Sequence, residues 1–260
     1  MNRYPHLFSP IKIGKQVVKN RIFMPPLSTN LGNKGYVTDE LIEHYRARAK
    51  GGVGLFVTEV VTIEPTYVYL PGDMSIYDDS FIEGWKKLAA AVHEYGAKIL
   101  PQLFHPAYMA FPIPGTPRLI APSNVGPYYA KEAPRSVTKE ELKVIIEQFA
   151  DAAQRVQKSG ADGVEIHAAH AHGLLGGFLS PQYNKRTDEY GGNIDARLKL
   201  TLEVIEAVRK RCGEEFIIDV RISGDEYSDG GLNINDMIYV SKQLENHGVD
   251  MIHVSGGTTI

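Results

Sequence analysis

The chain has 260 residues, 43% of them hydrophobic and 23% charged, with a formal net charge of −3. Such proportions describe an ordinary globular protein with room for one large core, and the scattered Lys and Arg form no basic patch for nucleic acid or an anionic membrane. No apolar run approaches the ~20 residues that span a bilayer, the polar, Pro-containing start is no signal peptide, and the single cysteine, Cys212, excludes a disulfide framework or a cysteine-ligated cluster within the chain, so a reducing cytoplasm is the expected compartment.

Apolar, β-rich runs alternate with amphipathic segments. A strand over Arg21–Leu27 comes first, then a helix over Thr38–Lys50 that opens on a Thr cap and stops at Gly51 and Gly52. Val53–Val61 reads as the second strand and Ser80–Tyr95 as the second helix, closed by Gly96. The third strand, Ala97–Leu103, leads into a Pro-rich insertion, Phe104–Val137. A helix over Thr138–Ser159 begins T-K-E-E, a capping-box pattern, and ends at Gly160. The run Asp162–Ile166 is the fourth strand, followed by a second insertion, Ala168–Asn193. Helix Asp195–Cys212 places the cysteine at a helix end, in a structural role. Strand Phe216–Ile222, helix Asn235–His247 and strand Val249–Val254 complete the chain.

Six βα-type units in this order, with strands apolar on both faces, indicate a parallel sheet covered by helices. No GxGxxG or Walker loop follows the first strand, which disfavours a nucleotide-binding open sheet. A TIM (β/α)8 barrel accounts better for the polar residues at strand C-terminal ends: Ser28, Glu59, Gln102, His105, His167, His170, Arg221 and Ser255. Six strands leave a barrel two short. The expectation is therefore one C-terminally incomplete barrel domain over residues 1–260, belonging to a longer protein. Three imidazoles within six residues, His167, His170 and His172, mark the loop after the fourth strand as the candidate site. On residue types alone they suit either a polar substrate group or a metal, as in a metallohydrolase, although HxH is a weak metal motif.

The segments NRIFMPPLS (Asn20–Ser28), PQLFH (Pro101–His105), VEIHAAH (Val164–His170), FLSPQYNKRTDEYGG (Phe178–Gly192) and VRIS (Val220–Ser223) resemble, in order and spacing, the Old Yellow Enzyme family of FMN-dependent oxidoreductases. The branch most similar contains NADH:flavin oxidoreductases, 2,4-dienoyl-CoA reductases and enoate reductases. The resemblance implies FMN across the barrel mouth, NADH or NADPH as reductant, and reduction of the C=C bond of an α,β-unsaturated carbonyl substrate by hydride from the flavin. It places Pro25, Pro26, Leu27, Ser28, Val60, Gln102 and Arg221 against the cofactor. His167 and His170 fall where the substrate oxygen is held. Asn184, Arg186, Asp188 and Tyr190 would knit the loop. An iron–sulfur cluster and FAD belong only to longer members, and a homo-oligomer is compatible with the pattern. Amine or C–N dehydrogenases share the barrel, but their flavin-tethering Cys near the first strand has no counterpart here.

Three departures stand out. Gly173 occupies the place of the family's proton-donating Tyr, which leaves His172 or solvent for that role. In QLFHPAY, Ala107 and Tyr108 replace a Gly and an Arg. The loops that hold the flavin phosphate would follow Ile260, so weak FMN retention, or a fragment without catalysis, is the expectation for this chain alone.

Overall fold

The computed structural model describes residues 3–111, 115, 117–126 and 132–258. Part of the insertion expected over Phe104–Val137 therefore lies outside the described residues. Six parallel strands follow one another across one sheet in chain order: β1 (Phe23–Met24), β2 (Leu55–Thr62), β3 (Lys98–Phe104), β4 (Gly163–His167), β5 (Ile217–Ser223) and β6 (Met251–Ser255), and a seventh, short strand, Met74–Ser75, pairs in parallel with the end of β2 off this path. Helices α1 (Asp39–Lys50), α2 (Ile82–His93), α3 (Lys139–Lys158), α4 (Gly173–Leu179), α5 (Ile194–Cys212) and α6 (Ile234–Asn246) accompany them. The sheet curls far enough that the Phe23 ring of β1 meets the edge of His253 of β6, 5.1 Å between centroids. This is the (β/α) barrel architecture with six of its units.

The expected helices form where their caps and apolar stripes lie. Thr38 caps α1 by accepting from the Leu41 amide, and Thr138 and Glu141 close a reciprocal capping box on α3. Each helix turns its apolar side inward; on α3 that side is Leu142, Ile145, Phe149, Ala153 and Val156. Two expected boundaries shift. β1 is two residues long rather than seven, because Pro25 and Pro26 lack the N–H groups a ladder needs. The second helix begins with a 3₁₀ turn, Asp79–Phe81, capped by Asp78.

Other elements also go beyond the sequence reading. A hairpin of Ile11–Ile13 and Gln16–Val18 closes the N-terminal end of the barrel, where Ile13 and Val18 pack with Leu55, Val57, Leu100 and Ile217. A small parallel pair, Ile120–Ala121 with Arg135–Ser136, organises the first insertion. The second insertion contains α4, whose seven residues are all buried.

Candidate active site

The functional residues gather where β1–β6 end. Register pairs Gln102 with Glu165, Glu165 with Asp219, and Arg221 with both His167 and His253. Side chains two residues apart along a strand share a face. One layer of the barrel interior therefore contains Gln102, Glu165 and Asp219, and the next contains His167 and Arg221.

Beyond His167 the chain turns sharply. His170 and Ala171 adopt φ of 64° and 47°, a left-handed conformation that costs most residues energy and persists only when neighbours fix it. The fixing contacts are evident. The His170 amide donates to Ser223 Oγ at 2.7 Å, the Ala168 amide to the Arg221 carbonyl at 2.9 Å, and the Tyr108 hydroxyl to the Ala171 carbonyl. His170 Nε2 lies 2.7 Å from Ser255 Oγ, which also accepts from Arg221 at 3.3 Å. Ala107, where the family pattern has Gly, itself has φ of 52°. Tyr108, in place of the pattern's Arg, stacks on Tyr183 at 5.0 Å and ties the two insertions together.

A cavity of ≈ 150 Å³ opens here, lined by Pro26, Leu27, Ser28, Glu59, Val60, Tyr69, Gln102, His167, His170, His172 and Arg221. It unites every site residue expected from sequence except Pro25, which is exposed outside the lining. The expected strand-end residue His105 is also elsewhere, in a separate cavity with Glu64 and Tyr67. Tyr69 was not anticipated. It comes from the loop after β2, and its ring meets His172 at 5.1 Å and Phe104 at 5.5 Å. His172 in turn stacks on Phe104 at 5.3 Å.

Burial disfavours charge on all three loop imidazoles. His170 and His172 are pushed down to about 4, first by burial and then by Arg221 and neighbouring histidines. His167 is held well below the ordinary range, by burial first and then by His172, His170 and Arg221. Its buried Nδ1 has no hydrogen-bond partner among the described residues, nor does Arg221 Nε. The cavity thus offers neutral imidazoles and one permanent cation, with donors still to be satisfied.

Beneath them, Glu165 accepts from Gln102 Nε2 on one oxygen and from His253 Nδ1 at 2.8 Å on the other. Asp219 is fully buried, and neither of its oxygens meets a donor among the described residues. Burial, then the Glu165 charge, raises its pKa well above the carboxylate range, which favours the protonated form of Asp219. Glu165, Asp219 and His253 are the described residues whose potential metal-ligating atoms cluster within 4.8 Å; the three loop histidines form no such group. A metal centre on His167, His170 and His172 therefore has no geometric support.

No room exists for a phenol at position 173. A Cβ on Gly173, whose φ is 64°, would lie 2.3 Å from Phe104 Cε2 and 2.8 Å from the His105 carbonyl. The loop that follows is knitted as expected: Asn184 Nδ2 donates to the Phe178 and Tyr190 carbonyls, and Arg186 pairs with Asp188 while donating to the Pro122 and Val137 carbonyls.

A parallel barrel whose polar cavity opens at the strand C-terminal ends has the layout of a barrel enzyme. The chain belongs to the NADH:flavin oxidoreductase / NADH oxidase family, whose model matches residues 6–260. It is 40% identical over 260 residues to an NADH oxidase of Thermoanaerobacter brockii, a match covering 99% of this chain and 40% of that protein. It is 36% identical over 256 residues to an NADPH dehydrogenase of Bacillus subtilis (strain 168), covering 98% and 74%. Its fold superposes on a 2-naphthoyl-CoA reductase in complex with 2-naphthoyl-CoA with a TM-score of 0.92 at 29% identity, covering 98% of this chain and 41% of that one. The chain thus spans about two-fifths of the length of the NADH oxidase it matches. No helix among the described residues is long and apolar enough to cross a membrane.

Proposed function

We propose that this chain is the flavin-binding barrel portion of a cytoplasmic, FMN-dependent NAD(P)H oxidoreductase that reduces the C=C bond of α,β-unsaturated carbonyl compounds. The observation that carries this reading is the convergence of three neutral imidazoles and Arg221 on one cavity beside Pro26, Leu27 and Ser28.

The residues present fit FMN, because Arg221 Nε and His167 Nδ1 are buried polar atoms that still lack partners among the described residues. Pro26, Leu27 and Val60 would pack against the ring system. Ser28 would offer a hydroxyl and Gln102 an amide to the polar edge. Arg221 would face the atoms where negative charge gathers on reduction. FMN, when bound, supplies hydride exchange between NAD(P)H and the conjugated substrate.

His167 and His170 would donate N–H bonds to the substrate oxygen and stabilise charge developing there. Being neutral, each has one donor and one acceptor nitrogen, so the Ser255 contact sets which nitrogen of His170 faces the cavity. Two groups in the cavity can hold the proton destined for the α-carbon: His172 and the Tyr69 phenol against it. The naphthoyl thioester bound to the similar reductase favours a conjugated thioester or enone as substrate class.

Replacing His167 and His170 together by Ala tests the assignment. Binding of a phenolate, followed by its charge-transfer absorbance with the flavin, should weaken at least about 150-fold while FMN stays bound, since each lost donor to an anionic oxygen is worth about 1.5–3 kcal/mol and two are removed. Unchanged enone kinetics in that variant would remove the assignment.

A further inference from the structure

We infer that Glu165 is a positioning residue: from the barrel interior it fixes which edge of Gln102 faces the cavity, and so selects a ligand that presents an N–H donor there. The inference rests on reading the cavity as a flavin site and adds the chemical reason for its selectivity.

Gln102 lies on β3 directly beside Glu165 on β4, and both are almost wholly buried. An amide can place either its oxygen or its nitrogen toward a neighbour, and the two choices exchange what remains on the opposite side. Here Nε2 donates to Glu165 Oε1. The other Glu165 oxygen accepts from His253 Nδ1, which is itself held in place by the Phe23 ring. Both carboxylate oxygens are thus committed as acceptors. Rotating the Gln102 amide would set Oε1 against Glu165 Oε1, two acceptors in contact with no proton between them. A buried clash of that kind costs as much as an unmade hydrogen bond.

Asp219 reinforces the choice. Its carboxyl approaches Glu165 from the β5 side, within 4.8 Å, and so occupies the remaining space around the same carboxylate. Two strands, β3 and β6, therefore direct donors at Glu165. Its acceptor character is fixed by its surroundings and passed through one hydrogen bond to Gln102. On the cavity side Gln102 presents Oε1, flanked by its second amide hydrogen. The partner for that pair is an imide edge, N–H beside C=O, as in the pyrimidine ring of an isoalloxazine. A ring methylated at that nitrogen meets the same oxygen with no hydrogen to offer.

The test compares binding of FMN and 3-methyl-FMN to the protein by fluorescence titration. The wild type should bind 3-methyl-FMN about thirtyfold more weakly than FMN. Glu165→Gln carries one donor and one acceptor and imposes no orientation; FMN affinity should fall so that the ratio drops below about threefold. Glu165→Asp remains acceptor-only and should restore a ratio above about tenfold, a rescue that a merely space-filling Glu165 would not show. Equal binding of the two flavins by the wild type overturns the inference even if the variants do not fold, and so does a wild-type ratio in Glu165→Gln. Because weak retention is expected of this chain, the titration runs to the highest soluble flavin concentration; a folded wild type that binds neither flavin even there overturns the flavin reading itself, a result distinct from the other two.

Discussion

The imidazole layer at the barrel mouth and the carboxylate layer beneath it are two residues apart on the same strands, His167 above Glu165 and Arg221 above Asp219. Burial acts on both with opposite sign. It lowers His167, His170 and His172, which lose their charge by releasing protons, and it raises Asp219, which loses its charge by keeping one. The upper layer retains His167 Nδ1 and Arg221 Nε without partners among the described residues, whereas in the lower layer Glu165 is paired on both oxygens and the unpartnered atoms are the carboxyl oxygens of Asp219. A ligand site and a structural network can thus be built from similar residues; what separates them is which groups line the cavity and which lie beneath it, paired through Glu165.

The most severe break in this arrangement is Glu165→Ala. It strips Gln102 and His253 of their shared acceptor and opens a void, and the expected loss is about 3–5 kcal/mol in urea unfolding. Asp219→Asn should cost less than about 1 kcal/mol, because an amide N–H can donate to Glu165 as the protonated carboxyl does. If the two substitutions cost the same, Asp219 does not enter the fold as the protonated carboxyl.

The layers also differ in how stability responds to pH. His172 has a pKa of about 4 in the fold, against about 6.5 when unfolded. Between those values the unfolded chain binds more protons. The contribution is therefore complete above pH ~6.5 and is lost as pH falls toward 4. For so buried a ring this amounts to something on the order of 3 kcal/mol. Asp219 runs the other way: its raised pKa makes its contribution complete below pH ~4 and lost as pH rises through the folded value. His172→Phe should flatten the acid limb of stability between pH 6.5 and 4, measured by urea unfolding at a series of pH values. An unchanged acid limb would show that this imidazole takes up its proton as readily in the fold as outside it.

What was legible in sequence followed the same division. Strands β2–β6 and all the long helices announce themselves through apolar runs, Thr and Asn caps, and glycines just past helix ends. The helix α4 does not, because GLLGGFL is apolar on every side and carries three glycines that disfavour a helix; burial of all seven residues overrides that propensity. The histidines and Arg221 were visible as polar residues at strand ends, but Tyr69 comes from a loop with no motif around it. Glu165 was hidden in plain view. A carboxylate inside the apolar run GVEIH, two residues before His167, is itself the signal of a same-face polar pair, since an unpartnered charge would not be tolerated there.

A modest effect on stability and a clearer one on recognition belong to the residue that links β6 to the upper layer. Ser255 is only partly buried and its hydroxyl joins His170 Nε2 to Arg221 Nη2. Ser255→Ala leaves two groups that can each turn toward solvent or ligand, so unfolding should change by less than about 1.5 kcal/mol. Recognition should suffer more than folding. Without the hydroxyl, neither the tautomer nor the ring angle of His170 is set, and the donor meant for a ligand oxygen becomes one of several orientations. Phenol affinity should fall about three- to tenfold, consistent with one neutral hydrogen bond, and FMN affinity should hold. The left-handed turn at His170 and Ala171 is secured independently by Ser223 and Tyr108. An effect on phenol binding as large as that of losing His170 itself would mean that Ser255 also holds the loop in place.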